Sequence, residues 1–247
     1  MGENGKLLVY LVVGSLIGIY LFFSGFKTLK FKRLIENIPT SKIRSLAIGF
    51  AEVKGKIIKR DELLESPLSK EKCVYYKLDV EVLIRTRRSH YWQNIIKMEK
   101  GIRFHLKDNT GKILVDPTGA KLDLPVDFEF EDGFGKRLPE SVKEFSKLNN
   151  LNMSGLFKKT YRFIEYYIKE NEDLYILGYA GKNPEKSFSE VGAENLMVQK
   201  GDSKVYYISD KHEENILKSL TRQIGWKIYG GPALTIFCFL GIVWIFF

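Results

Sequence analysis

Cysteine and histidine are scarce in this sequence, with 2 Cys and 3 His among 247 residues. Cys238 lies in a long uncharged run and Cys73 far from it, so no disulfide can staple a soluble domain. That suits a reducing compartment. His90, His105 and His212 are scattered and share no metal-ligand spacing, which argues against a Cys/His zinc cluster; neither a metal nor a cofactor is expected. Internal repeats and low-complexity tracts are missing too. With 13% aromatic residues and 17 Phe, the chain is too apolar for a disordered tether.

Charge is missing from both ends. Leu7 to Phe26 and Ile228 to Phe247 carry none, and each supplies the roughly 20 apolar residues that a bilayer core requires. The chain therefore divides into a tail (1–6), a transmembrane helix (7–26), a basic juxtamembrane linker (27–39), a central domain (40–211), an amphipathic helix (212–227) and a second transmembrane helix (228–247). A cleaved signal peptide competes for the first span, but Lys6 is offset by Glu3 and no small-x-small site follows Phe23.

Lys27, Lys30, Lys32 and Arg33 follow the first span, and Lys218, Arg222 and Lys227 precede the second. The positive-inside rule then puts the central domain in the cytoplasm and both termini outside. Lys27, Lys30, Lys32, Arg33, Arg222 and Lys227 would face lipid phosphates, each contributing about 1 kcal/mol near an anionic surface. A plain topology signal without lipid specificity is the simpler explanation. Gly14 and Gly18 form a Gly-x-x-x-Gly pair, and Gly230 and Gly231 are their counterparts in the second span. Such glycines let helix backbones approach, within the chain or in a homo-oligomer, but they are also common in membrane helices. A net charge of +9 fits headgroups or nucleic acid. The flanking cations favour membrane lipids, and no nucleic acid is expected.

Between the spans the patterning is mostly that of strands. Gly49 to Ile58, Cys73 to Ile84, Tyr161 to Ile168, Leu174 to Ala180 and Lys204 to Ile208 alternate or run apolar. Arg103–Asp108 and Lys112–Asp116 flank Asn109-Thr110-Gly111, a hairpin signal. Pro139 to Leu148 reads as a helix with Val142 and Phe145 on one face. Ser209 to Glu213 caps another, carrying Ile216, Leu217, Leu220 and Ile224. The stretches 149–154 and 181–189 read as loops. The expected class is a β-rich α+β domain, barrel- or sandwich-like with a few helices, flanked by two transmembrane helices.

Candidate chemistry is thin. Gly155-Leu156-Phe157-Lys158-Lys159-Thr160 lacks the first glycine of a phosphate loop, and Gly133-Phe134-Gly135-Lys136-Arg137 is no stronger. Asp127, Glu129 and Glu131 alternate and share a strand face, which suits a cation but reads more simply as a solvated face. Cys73 beside Lys72 suits an activated thiolate, yet it opens an apolar strand and reads better as buried. Arg85-Thr86-Arg87-Arg88-Ser89-His90-Tyr91-Trp92 stands out. It reads as a long loop where Arg85, Arg87, Arg88, His90 and Trp92 can grip lipid phosphates or an acidic protein surface. Its bland alternative is a solvated hairpin end with Trp92 packed inward.

Several pieces occur in an order that resembles a known family: Ser41 to Gly49 with Glu52-Val53-Lys54-Gly55; Ser66-Pro67-Leu68 with Cys73-Val74-Tyr75-Tyr76; Phe104 with Asp108 to Ala120; Tyr175-Ile176-Leu177-Gly178; and Ile208-Ser209-Asp210-Lys211. Together with the flanking spans they resemble the beside-a-membrane (GIDE) domain of mitochondrial-anchored ubiquitin and SUMO ligases. In those ligases a RING finger follows the second span, whereas this sequence ends at Phe247. A RING needs eight Cys or His ligands, four per tetrahedral zinc, so no catalytic residue carries over. The family domain faces the intermembrane space, while the cations here point to the cytoplasm. The expectation is a non-catalytic membrane-anchored domain that docks a protein partner or organises lipid. The alternative is a ligase-family protein that acts with a separate RING subunit.

Overall fold

The computed structural model describes residues 3–133, 137–153, 159–186, 195–203 and 205–246. Contacts divide the chain into two units, Thr40–Lys211 and the pair of terminal segments, Met1–Pro39 with His212–Phe247.

The terminal unit is two long helices, α1 (Glu3–Asn37) and α3 (Glu213–Phe246), packed on each other. Both are long and apolar enough to cross a membrane. The basic segment after Phe26, expected as a linker, instead continues α1 without a break. Its residues are good helix formers, Lys32 and Glu36 pair at i,i+4, and Pro39 disfavours helical geometry at the residue before it. Likewise the amphipathic segment and the second apolar run form one helix, which passes through Pro232.

The central unit contains α2 (Glu140–Leu148), a short 3-10 turn at Ile43–Ser45 and thirteen described strands. Five of them close into a barrel: β1 (Gly49–Ile58), β6 (Phe104–Lys107), β7 (Lys112–Val115), β12 (Leu196–Gln199) and β11 (Asp173–Lys182), which pairs back with β1. β13 (Tyr207–Ser209) shares an edge of β11, and β8 (Lys121–Asp123) adds outside it in parallel. Closure makes Lys56 pair with both Asp173 and Lys107. Backbones crowd there: a Cβ on Gly55 would lie 2.5 Å from the Lys107 carbonyl oxygen, so the position demands glycine. Val53, Ile57, Phe104, Leu106, Ile113, Val115, Ile176 and Ile208 fill the interior. Each contributes roughly 1.5–3 kcal/mol by leaving water.

A second sheet has the order β5 (His90–Gly101), β4 (Tyr75–Arg85), β10 (Tyr161–Ile168) and β9 (Phe128–Glu131), all antiparallel. β2 (Leu64–Glu65) and β3 (Lys72–Cys73) form a small ribbon beside it in the chain. Leu78, Val80, Val82, Tyr161 and Phe163 form one face of this sheet, and Val142 and Phe145 of α2 cover it. The Phe145 ring meets Phe163 edge-on at 6.3 Å.

Two fully buried carboxylates brace the unit. Glu165 accepts hydrogen bonds from the Leu68 and Ser69 amides at 2.8 and 2.9 Å and from the Ser69 hydroxyl, pinning the Ser66–Glu71 loop. Glu52 accepts from the Tyr175 hydroxyl at 2.7 Å and from Thr40, with Lys54 alongside at 3.3 Å.

Candidate functional site

The strands β4 and β5 form a long hairpin whose tip is the arginine-rich stretch. Expected as a long loop, it is a tight turn. Arg85 pairs with His90, and Thr86 and Ser89 close the turn by reciprocal hydrogen bonds of 2.9 and 3.1 Å. His90, Tyr91 and Trp92 therefore belong to β5. Arg85, Arg87, Arg88 and His90 are exposed, and no carboxylate among the described residues pairs with the three arginines.

A bulge sets which side chains share a face. Val80 opposes Ile96 and Glu81 opposes Asn94, so Ile95 is the extra residue. Beyond it Trp92 opposes Leu83, on the face away from α2, and two residues on Arg85 and His90 occupy that same face. Trp92 is thus not packed inward. It is half-buried under the Arg162 guanidinium, 4.6 Å from the ring centroid, and Arg162 is held by Glu81 through its Nε at 2.8 Å. Planar guanidinium over indole is a favourable, preorganised stack. Arg162 was not singled out in the sequence. Its alternation within Tyr161–Ile168 put it on the polar face, but the pairing with β4 that carries it to Trp92 is a tertiary fact. Tyr91, Ile95 and Met98 add exposed apolar surface along the same strand.

In the helical unit, a Cβ on Gly14 would lie 2.6 Å from Cys238 Sγ, and one on Gly18 2.6 Å from the Gly231 carbonyl oxygen. Gly231 faces back onto Gly18 and Phe22, while Gly230 faces Trp226 of its own helix. Gly25 against Ile228 and Gly241 against Leu11 extend the contact. Lys227 donates to Thr28 Oγ1 at 3.2 Å, joining the two cation-bearing segments. Lys27, Lys30, Lys32, Arg33 and Arg222 lie along the same parts of α1 and α3.

A family model described as GIDE, E3 ubiquitin ligase, matches residues 74–243, more than half of the chain. The chain belongs to the GIDE family. No curated protein and no solved structure matches it.

This GIDE domain holds few reactive groups elsewhere. Cys73 is fully buried, and burial with the neighbouring Glu165 charge pushes its thiol up to about 12. Asp127, Glu129 and Glu131 are exposed over Phe128 and Phe130, which pack toward α2. Asp127 also accepts from the Tyr167 amide at 2.9 Å. Among the described residues no group of His, Cys, Asp and Glu is placed to hold a metal ion. A cavity of about 200 Å³ is lined by Tyr75, Lys77, Leu122, Asp123, Leu124 and Tyr166. Its charges are already committed, Lys77 to Asp79 at 2.6 Å and Asp123 to Lys211 at 2.6 Å. Both loops considered for phosphate, 155–160 and 133–137, fall largely outside the described residues.

Proposed function

We propose that this GIDE-family protein is a membrane-anchored docking module that holds a protein partner through the basic tip of its β4–β5 hairpin. The observation that carries the reading is the tip itself. Three exposed arginines with no carboxylate partner among the described residues, and a histidine, crown a hairpin whose indole, Trp92, is held in place by Arg162 and Glu81. Guanidiniums with an anchored aromatic are the side chains that dominate protein interfaces. Reversing the charges with R85E/R87E/R88E should lower partner binding by about tenfold or more while the thermal midpoint stays put. Unchanged binding would remove the site.

Membrane anchoring draws support from the aromatic residues of α3. Trp226 and Tyr229 are exposed at one end of its apolar stretch and Trp244 at the other. From Trp226 to Trp244 the helix advances about 27 Å at 1.5 Å per residue, close to the thickness of a hydrocarbon core. Indole rings at both levels suit the two interfaces, and the cations beside Trp226 suit the cytoplasmic one. The central domain would then face the cytoplasm.

The family assignment favours a second reading, in which the protein serves a separate catalytic subunit in ubiquitin transfer. Function by family is an analogy, and it does not place a transfer step on any residue of this chain. Reconstituted protein should then stimulate ubiquitin conjugation by activating and conjugating enzymes when a RING subunit is added. A rate indifferent to the protein would eliminate that role.

A further inference from the structure

The strand behind the arginine tip is itself unusual. β5 is a terminal strand of its sheet, 12 residues long, or about 40 Å at 3.3 Å per residue. Among the described residues no strand pairs with its outer edge. All of its residues but Trp92 and Ile96 are exposed. A free edge presents a row of backbone N–H and C=O groups, and natural edges are blunted by lysine, proline, bulges or shortness. β5 has the bulge at Ile95 and two lysines, Lys97 and Lys100, but it is neither short nor proline-bearing. It also keeps Tyr91 51%, Ile95 41% and Met98 36% exposed, side chains that protection alone would not select.

We propose that the free edge of β5 receives an extended, acidic segment of the protein partner as an added antiparallel or parallel strand. This inference rests on the docking reading above and specifies how the partner is held. Charge chooses the occupant. Arg85, Arg87, Arg88, Lys97 and Lys100 are cations along the tip and strand, and Glu99 is the single carboxylate within β5. The nearest carboxylates of β4 are engaged, Asp79 by Lys77 and Asn94, Glu81 by Arg162. A second copy of the chain would bring the same excess of cations to the edge, so net charge opposes self-pairing. An acidic strand gains the same backbone hydrogen bonds without that repulsion. Main-chain pairing would supply affinity, and alternate side chains would meet the arginines and the fixed indole of Trp92.

Amide hydrogen exchange on the full-length protein in lipid nanodiscs tests this. The probes are two short peptides, one alternating Glu with Val and one alternating Lys with Val. The Glu–Val peptide at about ten times its Kd should slow exchange within residues 90–101 by roughly tenfold, and the Lys–Val peptide should not. K97E/K100E should abolish the slowing, with barrel amides of β1 and β11 exchanging as before to show an intact fold. Two results overturn the inference: no binding of the acidic peptide, or binding that leaves β5 exchange unchanged. In the second case docking survives through side chains at the tip alone. The docking reading has its own control, R87E/R88E, and it fails if those variants hold the native partner as tightly as the parent.

Discussion

At the scale of single residues, the domain's polar groups divide into those committed to the fold and those left to solvent. Cys73 belongs to the first set. With its thiol fully buried and pushed up to about 12, it should stay unmodified by iodoacetamide at neutral pH and react only as the domain unfolds. Rapid labelling of the native protein, read by mass spectrometry, would refute that assignment. Cys238, against Gly14 in the helical unit, should be equally slow.

His105 gives the domain a pH dependence. Burial, then the charges of Lys112 and Arg60, lower its pKa from the ordinary value near 6.5. The folded state thus keeps the imidazole neutral while the unfolded chain takes a proton. Its stabilising contribution is complete above about 6.5 and is lost as pH falls through the lower folded value. Asp108 and Asp116 act the same way further down. Burial raises each, but hydrogen bonds outweigh it: from the Ile43, Thr110 and Gly111 amides to Asp108, and from Thr118 and Arg103 to Asp116. Their contribution is present above about 4 and lost in more acid solution. Denaturation midpoints should therefore fall between pH 7 and pH 5.5, and His105→Gln should flatten that first step. A midpoint that drops equally in the variant would assign the step to other groups.

At the scale of elements, what the sequence disclosed follows from how cleanly each one is buried. β1, β10 and β11 alternate or run apolar because their faces are packed, and their limits are close to those expected. The Asn109-Thr110-Gly111 hairpin was legible because its turn chemistry is local. Asp108 accepts from the Thr110 and Gly111 amides at 2.6 and 2.9 Å. β5 was not legible. A polar strand exposed on both faces and shifted by a bulge at Ile95 has no period to read, so in sequence the arginine tip reads as a loop. The bracing roles of Glu52 and Glu165 are not legible for a different reason, since their partners Tyr175 and Ser69 are distant in sequence. The arginines, His90 and Trp92 could be named from composition alone; the face that Arg85, His90 and Trp92 share, and Arg162, needed the register.

The packing of α1 on α3 is an element-scale claim with a direct chemical test. Gly14→Cys would bring a second sulfur beside Cys238, at a spacing that a shift of a few tenths of an ångström makes fit for a disulfide. Mild oxidation should yield an intramolecular crosslink, detected as a linked peptide pair. Crosslinks only between separate chains would show that these glycines meet in an oligomer instead.

At the scale of the whole molecule, the GIDE assignment and the two helices long and apolar enough to cross a membrane fit the membrane-anchored reading proposed above. Topology can be read with a Cys at an exposed site, Lys97→Cys, because both native thiols are buried. A membrane-impermeant maleimide should leave it unlabelled in intact cells and label it once the plasma membrane alone is opened, with internal membranes still sealed. Labelling of unbroken cells, or protection that persists until internal membranes are opened, would place the domain on the other side.

The most direct test of the docking claim is photo-crosslinking from residue 87 in the native membrane, with a photoreactive amino acid in place of Arg87. The account predicts a discrete protein adduct that disappears when Arg85 and Arg88 are reversed to Glu. Adducts to lipid alone, or a protein adduct indifferent to those two charges, would contradict it and leave the hairpin a lipid-facing or merely solvated tip.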